Sequence, residues 1–409
     1  VVGSFSSEDA VFYGNTSIKI PSGTASERPS SAETGMFRYN STSKSAEIFK
    51  DSSWHTFALE NYKNVKTFGA VGDGIADDTD AINRALFQIF CVQDNDRSRR
   101  SLFFPAGTYK ITKTIIIPSY ARLIGEGADS TIIQLNTGDT SNLSLYVARL
   151  GDSLQQTDAG IGTNGAIAPR NIELQSMTLR ARKATDVLLI EAATQCSFSN
   201  VNFEGPLTRN SIDADKNADN IAGIRVSNVA APVSNSLTFE NCGFRNLTYG
   251  VNTDSEIKSV TIANGLFDTL YQGIVLGSGT VSVDGPNGFK VTGNKFDNIY
   301  KEGIVFNNVT MNVSAHNVFY DVGNDFTTSP SSPCITIGND NNISMYDLFS
   351  RTDSQAQTQP RVSVVGGTVS TSSQIQIGHY SRETGKSFVL ADNAADQTIV
   401  AVSTDNVRA

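Results

Sequence analysis

Five stretches of the chain, "CSFSNVNFEG", "LTFENCGFRNLTYGV", "VTIANGLFDTLYQGIVL", "VTGNKFDNIYKEGIVF" and "VSAHNVFYDVG", can be laid under one another. Each opens on alternating apolar residues, reaches an asparagine (Asn200, Asn241, Asn264, Asn294, Asn317), and shortly afterwards a phenylalanine (Phe203, Phe244, Phe267, Phe296, Phe319). Several then reach Gly250, Gly273 or Gly303 before another aliphatic run. Successive phenylalanines lie about 23 to 41 residues apart, a spacing at which self-similarity signals stacked repeats. One such unit cannot bury its apolar face alone, but a stack gives a continuous core, with Phe on Phe inside. Asparagine at a corner tolerates the left-handed conformation and can hydrogen-bond the units above and below. The expectation is an all-β solenoid.

Ahead of the repeats, "NVKTFGAVGDGIADDTDAINRALFQIF" reads as strand, turn, helix. Val65 to Phe68 suits a short strand, and Gly69, Gly72 and Gly74 permit a tight turn. Asp77 is the expected N-cap, with Asp80 completing a box and facing the positive helix end. Ile82, Ala85, Leu86 and Ile89 recur at helical spacing, so a helix from Asp78 to Phe90 is expected to cap the open end of the stack. Neither G-x-G-x-x-G nor a P-loop is present, and EF-hand spacing is missing. The runs that follow, Leu102 to Phe104, Tyr109 to Ile111, Ile115 to Ile117, Arg122 to Ile124 and Thr131 to Leu135, are short, β-rich and closed by Pro or Gly.

Bulk properties exclude several classes. With 41 acidic against 32 basic residues and a net charge of -9, neither a nucleic-acid backbone nor an anionic membrane suits this chain as main partner. No apolar run approaches the roughly 20 residues that span a bilayer, so no membrane insertion is expected. Cys91, Cys196, Cys242 and Cys334 lack C-x-x-C pairing and read as free thiols, and His55, His316 and His379 are scattered. No metal or cofactor is expected. Residues 1–60 are rich in Ser, Thr and Gly and hold three short runs, Met36 to Tyr39, Ala46 to Phe49 and Trp54 to Phe57, which suggest a small meander that needs a neighbour or other copies for stability. Beyond 328 the pattern fades into a C-terminal β-rich region, 329–409, in which His379 and Tyr380 invite a site.

"VKTFGAVGDGIADDTDAINRAL", "FFPAGTYKI", "LIGEG" and the Asn/Phe repeats together resemble the pectate-lyase-like right-handed parallel β-helix proteins, with residues 61–328 as that body. Separately, "IPSGTASERPSSAETGMFRYN" looks like the short modules of bacteriophage tail fibres and tailspikes. The resemblance implies a virion tail appendage, homotrimeric, that contacts other tail proteins and a host cell-surface polysaccharide, with residues 1–60 for attachment and 329–409 for trimerisation. Three activities are compatible with it: attachment with glycan depolymerisation by a hydrolase or lyase, a purely structural tail role, and a secreted microbial lyase or epimerase. The catalytic signatures of pectate lyases and polygalacturonases are absent.

A glycan-cleaving site needs two carboxylates facing a groove. The residues following the repeat phenylalanines are Glu204, Arg245, Asp268, Asp297 and Tyr320, and if Phe points inward its neighbour points out. Adjacent strands lie about 4.8 Å apart, so Asp268 and Asp297 are the expected catalytic pair, with Glu204 as a third candidate. Like charges at that spacing favour one shared proton. Arg245 is placed to hold an acidic sugar, and Tyr271, Tyr300 and Tyr320 to stack on sugar rings, with Tyr249 a further aromatic.

Overall fold

The computed structural model describes residues 3–5, 10–12, 19–42, 45–57, 62–91, 101–136, 146–151, 169–182, 185–215, 220–227, 233–253, 257–277, 287–307, 309, 312–323, 332–338, 343–349, 362–364, 374–381 and 398–403. The chain divides into two compact units, Val1–Asn61 and Tyr62–Ala409.

In the first unit, Phe37–Asn40, Ser45–Lys50 and Ser53–Phe57 form the expected antiparallel meander, and Ser22–Gly23 adds a fourth strand parallel to Phe37–Asn40. Its inner face is polar. Glu47 is fully buried and accepts from Arg28 Nη2 at 2.7 Å and Asn40 Nδ2 at 3.0 Å, and the Arg28 hydrogen bond holds its carboxyl below the usual range.

In the second unit every strand pairing among the described residues is parallel, and these pairings fall into three ladders. One runs from Tyr62–Asn64 through Ser101–Phe104, Arg122–Gly125, Glu173–Ala181, Thr194–Glu204, Ser234–Glu240, Ile257–Ala263, Asn287–Thr292, Asn312–Phe319 and Ile343–Phe349 to Gln374–Ser381 and Thr398–Ser403. The second joins Asp73–Asp77, Gly107–Ile111, Thr131–Leu135, the C-terminal halves of Glu173–Ala181 and Thr194–Glu204, the N-terminal halves of Gly243–Thr253 and Leu266–Leu276, Lys295–Ile299, and the C-terminal ends of Asn312–Phe319 and Ile343–Phe349. The third joins Ile115–Pro118, Ala148–Gly151, Leu188–Ile190, Ala222–Val226, the C-terminal halves of Gly243–Thr253 and Leu266–Leu276, Ile304–Phe306, Ile335–Ile337 and Val362–Val364. The chain visits the three ladders in the same order, circuit after circuit, and the pairing continues past residue 328.

The repeat phenylalanines meet as the spacing implies. Phe203, Phe244, Phe267, Phe296 and Phe319 are fully buried, and successive rings stack 5.1, 4.5, 4.7 and 4.7 Å apart. The rings need clearance from the backbone of the preceding circuit. Gly250, Gly273 and Gly303 supply it: a Cβ at Gly250 would lie 2.7 Å from Phe267 Cδ1, at Gly273 2.8 Å from Phe296 Cε1, and at Gly303 2.6 Å from Phe319 Cε1.

The asparagines occupy two positions rather than one. Asn200, Asn241 and Asn264 take left-handed φ of 54°, 54° and 56°, three residues before each Phe, and in later circuits Gly293 and His316 hold that corner. Asn294 and Asn317 come one residue later, are fully buried, and form an amide ladder. Asn294 Oδ1 accepts from Gly265 N at 2.8 Å, and Asn317 Oδ1 accepts from Asn294 N and Nδ2 at 2.9 Å. Bending the corner and satisfying buried amides are thus divided between two positions.

The opening segment also departs from expectation. Val65–Phe68 is a 3-10 turn rather than a strand, because Asn64 Oδ1 caps Lys66 N at 2.9 Å and Gly69 closes the turn at φ 99°. The regular helix, α1, spans Thr79–Leu86 and passes into a wider turn over Phe87–Cys91. Its N-cap position is Asp78 rather than Asp77, and the Asp78 carboxylate reaches back to Val71 N (2.7 Å) and Gly72 N (3.0 Å), clamping the glycine turn. Asp77 instead accepts from Thr79 N, Thr79 Oγ1 and Thr112 Oγ1. Ile82, Ala85, Leu86 and Ile89 are buried on one side, as the spacing requires.

Gly303→Ala tests the clearance argument, because the Phe319 ring is the nearest group a methyl there would meet. Forcing a methyl into that ring costs on the order of 1–3 kcal/mol, against about 1 kcal/mol of gain where alanine is tolerated. Urea denaturation is expected to show a lower midpoint with an unchanged slope.

Candidate functional site

In three successive circuits the outward residue of the second ladder is followed by a left-handed corner: Asn246 after Arg245, Thr269 after Asp268, Asn298 after Asp297. The corners fix where that residue stands. Register pairs Arg180 with Glu204, Glu204 with Arg245, Arg245 with Asp268, and Asp268 with Asp297, so the expected candidates form one continuous column.

Their partners differ. Glu204 is held by Arg180 Nε at 2.6 Å, both side chains being largely covered. Asp268 Oδ1 accepts from Asn298 Nδ2 at 2.9 Å and Thr269 Oγ1 at 3.2 Å. Asn298 in turn accepts from Arg209 Nη1 at 3.2 Å, which fixes its amide with the NH2 toward Asp268. Asp297 Oδ2 accepts from Lys295 Nζ at 2.7 Å; that hydrogen bond first, and the nearby carboxylates after it, raise the lysine pKa despite some burial. Lys295 Nζ also lies 5.5 Å from the centre of the Tyr320 ring, which is 38% exposed. Four cations (Arg180, Arg209, Arg245 and Lys295) and three carboxylates therefore meet on this face, and Lys295, two residues before Asp297, is a neighbour that strand alternation could have found.

Tyr271 and Tyr300 do not present free faces. They stack on each other at 5.4 Å and are 6% and 2% exposed. Ile212, on the short helix α2 (Arg209–Asp215), and Leu207 pack against them, and Lys301 Nζ lies 5.3 Å over the Tyr271 ring. Tyr249 is also buried. Of the aromatic candidates among the described residues, Tyr320 alone is exposed. Asp254 and Glu256 lie outside the described residues, as do the side chains of Asp213, Asp215, His379 and Tyr380.

Beside Arg245 the surface opens into a cleft of about 240 Å³. Asp129, Asn202, Asn241, Gly243 and Asn264 also line it.

One titratable group escaped the sequence reading. Asp347 is 4% exposed and ends the amide ladder: Oδ1 accepts from Asn317 N and Nδ2 at 2.9 Å, and Oδ2 from Ser314 Oγ at 2.5 Å. Burial pushes its carboxyl up to about 6, against the lowering effect of those hydrogen bonds.

A family model described as rhamnogalacturonase A/epimerase, pectate lyase-like, matches residues 62–304. Among curated proteins, a glucan 1,3-beta-glucosidase of Cochliobolus carbonum is 26% identical over 166 residues, 38% of this chain and 20% of that protein. A pre-neck appendage protein of Bacillus phage B103 is 32% identical over 116 residues, 28% of this chain and 11% of that protein. The chain thus spans a fifth or less of the length of these relatives. Among solved structures, ORF18 of Geobacillus virus E2 superposes with a TM-score of 0.58 at 15% identity, over 94% of this chain and 74% of that one.

Asp347 gives a pH test with a defined sign. Its folded pKa of about 6 exceeds the unbound value of 3.8, so the folded state binds the proton more tightly. The contribution is fully present below pH 3.8 and is lost as pH rises through 6. Asp347→Asn, whose amide can donate to Ser314 Oγ, is expected to flatten this part of the stability profile between pH 4 and 6.5 and to raise stability at pH 7 by on the order of 3 kcal/mol, read by thermal melts across pH.

Proposed function

We propose, from the premise that the chain belongs to the rhamnogalacturonase A/epimerase, pectate lyase-like family, that it is the right-handed parallel β-helix body of a phage tail appendage that binds a host surface polysaccharide and cleaves it. The observation that carries this reading is the outward column in which Asp268 and Asp297 are register neighbours on adjacent strands, with Arg245 on one side and Tyr320 beyond. The phage proteins among the relatives and structural neighbours support the virion setting, the repeated circuits through three parallel ladders support the β-helix, and the trimer follows the tailspike likeness. In the proposed arrangement residues 1–60 attach to the virion and 329–409 hold three chains together.

Adjacent-strand spacing of about 4.8 Å brings two carboxyls near the 5–5.5 Å separation of retaining glycosidases. In this reading Asp297, whose carboxylate is held by the Lys295 ammonium, attacks the anomeric carbon to form a glycosyl ester. Asp268, whose partners Asn298 and Thr269 are neutral, is the acid that gives a proton to the glycosidic oxygen as that bond breaks and takes one from the water that hydrolyses the ester. Glu204, tied to Arg180, shapes the groove rather than reacting. A binding-only tail protein has one observation in its favour: both aspartates already have partners within hydrogen-bond distance.

Purified protein incubated with capsular and lipopolysaccharide fractions of candidate hosts tests this. Products of one repeat size are expected, with the rate falling about 10²- to 10⁴-fold in Asp268→Ala and Asp297→Ala. Polymer that is retained on the protein but stays intact would establish the binding-only reading, and products undiminished in both variants would remove the aspartates from the chemistry. Light scattering that returns a monomer would overturn the trimer.

A further inference from the structure

The insertion that carries α2 leaves the stack after Glu204 and crosses the outward corners of the circuits that follow. Its root is tied down by backbone: Gly205 N donates to Arg245 O at 3.0 Å and Leu207 N to Asn246 O at 3.1 Å. The approach is close, since a Cβ at Gly205 would lie 2.3 Å from Asn246 O. Thr208 and Ser211 cap the first turn reciprocally, Thr208 N donating to Ser211 Oγ at 2.7 Å and Ser211 N to Thr208 Oγ1 at 3.2 Å. Ile212 then seats the helix on Tyr271 and Tyr300, with Leu207 beside it. Seven residues fall well short of the roughly 12 to 15 that hold a helix by themselves, so these contacts and not propensity keep α2 in place.

The residue they deliver is Arg209. Its Nη1 donates to Asn298 Oδ1 at 3.2 Å, and Asn298 Nδ2 donates to Asp268 Oδ1 at 2.9 Å. The left-handed corner at Asn298, φ 54°, fixes the backbone and leaves the amide two orientations. With a guanidinium at one end and a carboxyl at the other, only the observed one avoids setting NH2 against the cation and oxygen against oxygen. A cation on the amide oxygen also strengthens the N–H donor on the far side, as hydrogen bonds in a chain polarise one another. Thr269 Oγ1, 3.2 Å from the same Asp268 oxygen, has a rotatable hydroxyl and sets no such direction. The other charges around Asp268 belong to the ladder itself: Arg245 and Asp297 in register with it, and Lys295. Resting on the cleavage reading, we infer that Arg209 is a positioning residue that acts through Asn298 to hold Asp268 by Oδ1, so that Oδ2 carries the proton given to the glycosidic oxygen and later taken from water. The covered tyrosine pair is then the seat of the helix that aligns the acid.

In ¹⁵N-asparagine-labelled protein, the side-chain amide pair of Asn298 is identified by its loss in Asn298→Gly, which keeps the left-handed corner. It is expected to shift in Arg209→Met, which removes the charge and keeps the stem, and in Asp268→Asn. Arg209 is exposed, so its variants are expected to melt as the parent protein does. In the polysaccharide assay, Arg209→Met is expected to lower kcat about tenfold with KM unchanged, on the scale of one hydrogen bond to a charged group. Arg209→Lys is expected to restore most of that loss, and Arg209→Met added to Asn298→Gly to cost nothing further. Ile212→Ala, which loosens the seat and leaves the relay residues intact, is expected to reproduce both the shift and the fall. A full fall in kcat in both backgrounds, or a rise in KM at constant kcat, overturns the relay. Cleavage undiminished in Arg209→Met with the Asn298 signal unmoved overturns the relay and leaves the proposed function standing; a signal that moves as expected in protein that cuts no polymer does the reverse.

Discussion

Stacked phenylalanine against glycine is the contact on which the rest of the second unit depends. Parallel strands pair about 4.8 Å apart, and rings carried on successive strands have no choice but to stack at nearly that distance, as Phe244, Phe267, Phe296 and Phe319 do at 4.5 to 4.7 Å. The rings fit only because Gly250, Gly273 and Gly303 leave room against the facing backbone. A slip of one residue in any strand would bring a polar side chain into the stack and turn a ring to water. The aromatic column therefore fixes register, and register aligns the outward residues into the column of Glu204, Arg245, Asp268 and Asp297.

Much of this was legible in the sequence because it follows from strict alternation. A Phe that points in has a next residue that points out, and five of them at recurring spacing read as a stack without further information. The strand runs between Leu102 and Leu135 were equally plain, since β-branched residues were closed by Pro or Gly. The limits came where one residue type does two jobs. Asparagine serves both as a left-handed corner, at Asn200, Asn241 and Asn264, and as a buried amide, at Asn294 and Asn317. The letter alone does not separate the two. Val65–Phe68 looked extended because its side chains favour strands, but capping by Asn64 and the Gly69 closure decided the local structure.

The candidate site was legible as a list of residues and not as a set of partnerships. Column membership follows from alternation, whereas the ion pair of Glu204 with Arg180 joins residues 24 apart and the Asn298 contact with Arg209 joins residues 89 apart. Tyr271 and Tyr300 looked like surface aromatics because nothing in their own circuits covers them. The cover arrives from α2, inserted between Glu204 and Ala222, so its effect on rings two and three circuits away is a property of the fold alone. The same partnerships sort the column by availability: carboxylates and lysine are satisfied, and Arg245 is left with a vacant donor.

The amide ladder has a direction. The side-chain oxygens all accept from the preceding circuit, Asn294 from Gly265, Asn317 from Asn294 and Asp347 from Asn317, while each asparagine NH2 also donates back to a carbonyl of the circuit before it, Ile262 or Val291. Asparagine can pass such a sequence on because it both accepts and donates, while an ionised aspartate can only receive. Asp347 is thus a stop signal written in hydrogen-bond polarity. Circuits duplicated before it would extend the seam with another asparagine. The strands Gln374–Ser381 and Thr398–Ser403 carry the backbone pairing on beyond Asp347, so the amide seam and the stack have different ends, and the seam can lengthen from within without disturbing the circuits that follow it.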